Sequence, residues 1–192
     1  MRLALHRAGV DRVSSVRTYT KKAELEALYR LTLDCPGNAS ILEIGSYLGA
    51  SSCYLAAALL KIDGHLFCVD TWNNETMPEG KTETFAVFQK NTQSISHLIT
   101  PIRKKSAMLS EKDLRLPLDL IFIDGDHSYE AVKHDFTLTS QWLSSNGMLA
   151  MHDILEFEGV ARVVGEALGS GKWTTVGQVK NLIWLKRANW SI

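Results

Sequence analysis

Cysteine and proline are scarce in this 192-residue sequence, three of the first and four of the second, and neither sign of charge is in excess. The cysteines, Cys35, Cys53 and Cys68, are too few and too scattered for a disulfide framework or a Cys-rich zinc site. A reducing, cytoplasmic setting is therefore expected. Lys and Arg number 21 against 21 Asp and Glu, which argues against a general polyanion binder, because non-specific nucleic-acid affinity depends on cationic side chains neutralising phosphates. The longest apolar run, Tyr54 to Leu60, is far short of the roughly 20 residues that span a bilayer. Arg2, Arg7, Asp11 and Arg12 interrupt the N-terminus where the apolar core of a signal peptide would sit. These absences set aside the membrane, secreted and disordered classes. What remains is a chain of one-domain length, roughly 100–200 residues per domain, with 45% hydrophobic residues. A chain of this size buries about 70% of its unfolded surface and needs neither disulfide nor metal to fold.

The apolar pattern divides the chain into residues 1–37, an arm and a helix, and residues 38–192, one globular domain. Arg2, Arg7, Arg12 and Arg17 stand against one acid, Asp11, in the first twenty positions, which reads as a solvated arm or lead-in helix. From Lys21 to Leu33, Leu25, Leu28, Tyr29 and Thr32 share one helical face, with Thr20 as N-cap. Cys35-Pro36-Gly37-Asn38 ends that helix. Strand and helix then alternate. Strands are predicted at Ser40–Ile44, His65–Val69, Ile99–Arg103, Leu118–Ile123, Gly147–Met151, Trp173–Val179 and Asn181–Lys186, and helices at Gly49–Leu60, Phe85–Leu98, Tyr129–Leu143 and Glu158–Leu168. Continuous apolar strands joined by helices mean a parallel sheet covered on both faces. The last two strands have almost no connection, so they form an antiparallel hairpin at one edge. The fold class is an open, doubly wound α/β sheet, mostly parallel, with one reversed strand. Such sheets bind ligands beyond the carboxyl ends of their strands, where the strand order switches.

The first strand leads into Glu43-Ile44-Gly45-Ser46-Tyr47-Leu48-Gly49-Ala50-Ser51 and a helix. Glycine there permits a sharp turn and close approach of a ligand, and the helix start offers free N–H groups and a positive dipole end. The spacing is not the Gly-x-Gly-x-x-Gly of a nicotinamide site. An acid two residues before the first glycine is unfavourable beside a pyrophosphate and favourable beside a cation. Asp70, at the end of the second strand, can accept two hydrogen bonds from a ribose diol. Together these point to a nucleoside-bearing, cationic ligand.

Glu43-x-Gly45-x-x-x-Gly49 followed by Asp70 resembles the binding site of class I S-adenosylmethionine-dependent methyltransferases, a Rossmann-like fold. Phe122-Ile123-Asp124-Gly125-Asp126-His127-Ser128-Tyr129-Glu130 and Asn146-Gly147-Met148-Leu149-Ala150-Met151-His152-Asp153 resemble two further segments of the small-molecule and macrolide-sugar O-methyltransferases, the methyltransferase family 24 type. The likeness spans residues 38–155. It implies that Glu43, Gly45, Ser46 and Gly49 hold the methionine moiety of S-adenosylmethionine, that Asp70 holds the ribose, and that Tyr47 and Ser51 also bind the cofactor. Thr71 and Trp72 would flank the adenine, with Ser106 and Ala107 at its other edge and Asp124 also against the cofactor.

Asp124, Asp126 and His127 directly follow one apolar strand, and His152 and Asp153 another. Ionisable groups converging over one cleft need compensation. A divalent cation is one candidate, a bound sulfonium another, while Ser128 and in part Asp126 read as caps of the next helix. In metal-dependent relatives, acids at these positions hold Mg²⁺; carried over, the ligands are Asp124, His152 and Asp153. His152 departs from that pattern. Imidazole is a poor ligand for Mg²⁺ and better suited to Mn, Fe or Zn, so the ion differs, or His152 stands behind it, or there is none. His127 matches the general base of the sugar-modifying relatives, and imidazole titrates in the range that role needs. Catalysis by His127 and Asp124 with a Mg or Mn ion is the resulting expectation.

The polar segment from Trp72 to Thr82 leaves the sheet beside Asp70 and reads as a mobile cover over the ligand. The acceptor is read as a hydroxyl of a small molecule, whether sugar, phenol or secondary metabolite, with neither nucleic acid nor membrane as partner and a homodimer as the default assembly. Alternatives are a non-catalytic module that binds the same nucleoside, a methyltransferase acting on protein or nucleic acid, and a nicotinamide oxidoreductase.

Overall fold

The computed structural model describes residues 2–74 and 80–188. Two apolar runs make its centre: β1 (Ser40–Ile44) and, pairing with it in parallel, Leu118–Ile123. In chain order the helices and strands are α1 (Arg2–Arg7), α2 (Lys22–Leu33), β1, α3 (Ala50–Ile62), β2 (His65–Asp70), α4 (Phe85–Thr92), β3 (Ile99–Arg103), β4 (Leu118–Ile123), α5 (Tyr129–Ser140), β5 (Leu143–Met151), α6 (Glu158–Gly169), β6 (Trp173–Val179) and β7 (Leu182–Arg187). The strands form one seven-stranded sheet in the order β3-β2-β1-β4-β5-β7-β6. All pairings from β3 to β5 are parallel, and β7 runs antiparallel to both β5 and β6. This is the doubly wound, mostly parallel sheet that the strand–helix alternation predicts, with its single reversed strand near one edge. No helix among the described residues is long and apolar enough to cross a membrane.

Alternation along the strands splits the core into two faces. Ile41, Leu120 and Phe122 pack with α1, α2 and α3, whereas Leu42, Ile44, Ile121 and Ile123 pack with α5 and α6. Each such fully buried side chain contributes about 1.5–3 kcal/mol relative to exposure. Helix α3, apolar nearly all round, is buried from Ala50 to Leu59.

Several local features differ from the pattern reading, each for a tertiary reason. The first twenty residues are not a solvated arm: Leu5, Ala8, Val10 and Val13 join the core beside α3. The cap position of α2 is Lys21 rather than Thr20, and the Glu24 carboxylate accepts the Lys21 N–H at 2.5 Å. The helix expected over 85–98 breaks after Thr92 into a 3-10 turn, Gln93–Leu98. There the Thr92 hydroxyl bonds the Phe88 carbonyl at 2.9 Å, a side-chain competition that loosens helices. Strand β5 starts four residues early, pairing Leu143 with Leu118 and then slipping register before Met148 meets Leu120. Of the cover expected over 72–82, residues 75–79 lie outside the described residues. Its base is pinned, with Thr82 N–H on the Asn73 carbonyl at 3.0 Å and Thr84 N–H on the Trp72 carbonyl at 2.9 Å.

Beyond the strand ends the ladder continues for one more bond. Gly45 N–H donates to the Val69 carbonyl at 2.9 Å, Asp124 N–H to Ile44 at 2.8 Å, and His152 N–H to Ile123 at 3.1 Å. Loops following β2, β1, β4 and β5 are thereby held side by side over one edge of the sheet, across the switch between β1 and β4.

Candidate active site

Gly45 is the hinge of this edge. Its φ is +89°, and a Cβ placed on it would lie 2.0 Å from the Asp124 carbonyl oxygen. Only glycine permits both the left-handed backbone and that approach, so the loop after β1 touches the loop after β4. Beneath it, the fully buried Glu43 carboxylate fastens the loop to α3. Its Oε2 accepts hydroxyl bonds from Ser46, at 2.8 Å, and from Ser52, and the Cys68 thiol lies 3.3 Å away. Burial raises the Glu43 pKa, opposed by the surrounding serine hydroxyls, Ser51 among them. Its other oxygen, Oε1, has no hydrogen-bond partner among the described residues. Glu43 is thus placed under the loop, not on its surface. Gly49, with φ +87°, starts α3 without a side-chain cap, which leaves the positive helix end for a ligand.

Asp70 is fixed by neutral donors. Its Oδ2 accepts the Tyr47 N–H at 2.8 Å and its Oδ1 the Trp72 N–H at 2.7 Å. Each carboxylate oxygen keeps a further acceptor site, so the side chain is oriented yet still able to receive two hydroxyls. Tyr47 and Trp72 take left-handed φ values of 45° and 52° to present those N–H groups. Thr71 is half-buried, and its Oγ1 accepts the Asn73 N–H at 3.3 Å. Trp72 does not lie open to a ligand. Its ring is fully buried, packs at 4.8 Å on both Phe85 and Phe88, and donates Nε1–H to the Tyr47 carbonyl at 2.9 Å. Its apolar area is taken up by the core, as a tryptophan at a strand end commonly is. Ser106 and Ala107 form a 3-10 turn after β3, half-buried and exposed respectively. Ser106 neighbours the buried Asp135, whose pKa burial raises to about 6.

On the other side of Gly45 the ends of β4 and β5 bring together Asp124, His127, His152 and Asp153. His152 Nδ1 lies 3.3 Å from Asp124 Oδ1 and 3.0 Å from Asp153 Oδ1. His127 Nε2 lies 3.2 Å from Asp153 Oδ2 and 3.7 Å from Asp124 Oδ1. The His127 ring stacks on Phe157 with centroids 4.3 Å apart. Asp126 stands aside, exposed, its Oδ1 accepting the Ser128 N–H at 2.8 Å, and Ser128 caps α5. Burial alone would raise the Asp124 pKa, but the two imidazoles bring it down to about 2. Burial alone would lower both histidines; against it, the negative charge of Asp124 and Asp153 raises His127, and the same two carboxylates carry His152 up to about 11.

Asp124, His152 and Asp153 each offer one ligand atom, all within 4.8 Å of one another. The donor set, two carboxylate oxygens and one imidazole, suits Mn, Fe or Zn better than Mg. The residue missing from the pattern reading is Glu24 on α2. It is fully buried, and its Oε2 lies 3.1 Å from His152 Nε2 while its Oε1 accepts the Asn181 N–H at 2.9 Å. One signal for it was present: an acid preceding Ala27, Leu28 and Leu31 by three, four and seven sits on the apolar face of its helix. Phe157 carried no comparable signal.

Residues 42–154 match a family described as a methyltransferase domain. Among solved structures, a Podospora anserina methyltransferase with S-adenosylhomocysteine bound has a TM-score of 0.69 at 13% identity, over 97% of this chain and 88% of its own. The O-methyltransferase TomG of Streptomyces achromogenes, involved in tomaymycin synthesis and solved with SAM, scores 0.64 at 17% identity, over 97% and 90%. A Corynebacterium glutamicum protein scores 0.68 at 18% identity, over 98% and 91%.

Proposed function

The chain belongs to this methyltransferase domain family, and from that premise we propose that it moves the methyl group of S-adenosylmethionine onto a hydroxyl of a small molecule. One observation carries the reading: at Gly45 the loop after β1, bonded to the end of β2 that carries Asp70, meets the loop after β4 that carries Asp124, over the switch of the sheet. Asp70 would receive the ribose diol. The uncapped start of α3 would receive the methionine carboxylate, with Gly45, Ser46, Tyr47 and Gly49 shaping the loop around it. Ser106 and Ala107 would border the adenine.

Transfer is an in-line displacement at the sulfonium methyl, so the protein has to hold the acceptor oxygen against the methyl carbon and to take its proton. The second part we assign to His127. An imidazole gaining a proton beside Asp124 and Asp153 is stabilised as the cation. Asp124, His152 and Asp153 would hold a divalent ion, preferentially Mn²⁺ or a later transition metal. Such an ion, when bound, makes a hydroxyl more acidic. The small-molecule acceptor is supported by the family resemblance, by TomG among the structural relatives, and by the absence of a net basic charge.

The test is calorimetric titration of S-adenosylhomocysteine into metal-stripped protein, repeated with Mg²⁺ and with Mn²⁺. Micromolar binding that weakens about 10–100-fold in Asp70→Ala, and a separate ion heat that disappears in Asp124→Ala, is the expected result. No binding of S-adenosylhomocysteine under any condition would overturn the proposal.

A further inference from the structure

We infer that Glu24 is a positioning residue of the active site: its carboxylate holds the His152 imidazole by Nε2, so that Nδ1 faces Asp124 and Asp153. The inference rests on the reading of Asp124, His152 and Asp153 as the place where the acceptor hydroxyl is handled. It adds a residue from outside the 42–154 family match, supplied by a helix that the match does not include.

The geometry runs as a chain of contacts. An imidazole is free to turn about its Cβ–Cγ bond, and a half-turn exchanges each ring nitrogen with a ring carbon. His152 is 2% exposed and meets carboxylates on two opposite sides, Glu24 Oε2 at 3.1 Å from Nε2 and the aspartates at 3.0 and 3.3 Å from Nδ1. With Nε2 anchored on Glu24, only one of the two ring settings places a nitrogen at the aspartates. The hydrogen bond made by one imidazole nitrogen decides what the other can do, and carboxylates that bond the rear nitrogen of a ligating histidine orient the ring and raise its basicity.

A helix cap alone does not account for Glu24. A carboxylate in the first turn that reaches back to the cap N–H ordinarily does so in water and uses one oxygen. Here the group is withdrawn from water altogether, and a buried carboxylate requires donors on its remaining lone pairs. Oε2 serves both Lys21 N–H, at 2.5 Å, and His152, while Oε1 accepts the Asn181 N–H at 2.9 Å. The backbone donors immobilise the carboxylate, and the immobilised carboxylate sets the ring. Helix α2 and the turn before β7 thus act on the site through one side chain.

The experiment compares wild type, Glu24→Gln and Glu24→Ala in two readouts, with S-adenosylhomocysteine affinity, expected to stay within twofold, as the check that the cofactor half is intact. Mn²⁺ affinity by calorimetry should fall 10–100-fold in both variants, the range found when groups behind a ligating histidine are removed. Nitrogen-15 spectra of the His152 ring should show a slowly exchanging Nε2 proton in the wild type that is lost in Glu24→Ala, while the amide oxygen of Glu24→Gln can still accept it. Wild-type Mn²⁺ affinity in both variants would overturn the inference. A wild type that takes up no Mn²⁺ removes the ion from the mechanism and leaves the ring spectra to decide: unchanged His152 signals in Glu24→Ala overturn the role of Glu24, and altered ones uphold it. Should both variants fail to fold, the wild-type spectrum decides alone, because a freely exchanging Nε2 position would contradict the contact.

Discussion

Both halves of the candidate site are built on carboxylates at strand ends, and they hold those carboxylates by opposite means. On the β1–β2 side, Asp70 is bonded to two backbone N–H groups and Glu43 to serine hydroxyls. None of these donors titrates near neutrality. On the β4–β5 side, Asp124 and Asp153 meet His127 and His152, groups whose charge can change. The first arrangement fixes a shape and keeps it; the second can store or release a proton and can exchange a proton for an ion. The first suits holding a ligand by shape and hydrogen bonding, and the second suits taking up a proton.

Four substitutions break or sharpen that contrast. The largest effect is expected from His127→Ala, which should slow methyl transfer about 10²–10⁴-fold, the usual contribution of a general base. S-adenosylhomocysteine affinity should stay unchanged in calorimetry. A comparable loss of cofactor binding would mean the two halves are not separate. Gly45→Ala attacks the contact between them. With φ +89° and a Cβ 2.0 Å from the Asp124 carbonyl, it should cost about 3–4 kcal/mol in denaturant unfolding; a wild-type midpoint would show that the loops can part. Asp70→Ala should weaken S-adenosylhomocysteine about 10–100-fold through lost charged hydrogen bonds, while any Mn²⁺ binding stays as in the wild type.

The smallest effect concerns a carboxylate with little of either support. Asp135 is buried, its Oδ1 has no hydrogen-bond partner among the described residues, and burial raises its pKa to about 6. The folded protein therefore keeps a proton that the unfolded chain has already lost, so this group lowers stability as pH rises from about 4 to 6. Asp135→Asn stays neutral at both ends of that window. It should stabilise the protein at pH 7 by about 2 kcal/mol, with little change at pH 4, as read by melts across pH. A destabilised variant at pH 7 would show that the ionised form is held by a partner after all.

The sheet and its order of elements were legible because fully buried parallel strands read as unbroken apolar runs, as Leu118–Ile123 does, and because Gly45 and Gly49 punctuate the first turn. The residues directly after strands were legible for the same reason: a strand that stops on Ile123 or Met151 delivers Asp124 or His152 to the same edge. Contacts between distant segments were not. Trp72 at a strand end could be read as core, but nothing in the sequence showed that Phe85 and Phe88 would be its partners, nor that Leu5, Val10 and Val13 dock on α3. Glu24 reaches His152 across 128 positions, and only the packing of α2 against the sheet makes that pair neighbours. The acid on an apolar stripe was visible in the sequence, but what it faced was not.

The bond between Asn181 and Glu24 spans 157 positions, and proteins are made from the N-terminus onward. A nascent chain that has released residue 154 already carries every matched residue, the loop after β1 and both histidines of the site included. It still lacks the backbone donor that completes the Glu24 set. The turn that leads into β7 therefore completes the Glu24 donor set only after the family-matched segment has been made. Residue 181, late in the chain, thus supplies a backbone donor to a carboxylate near its start.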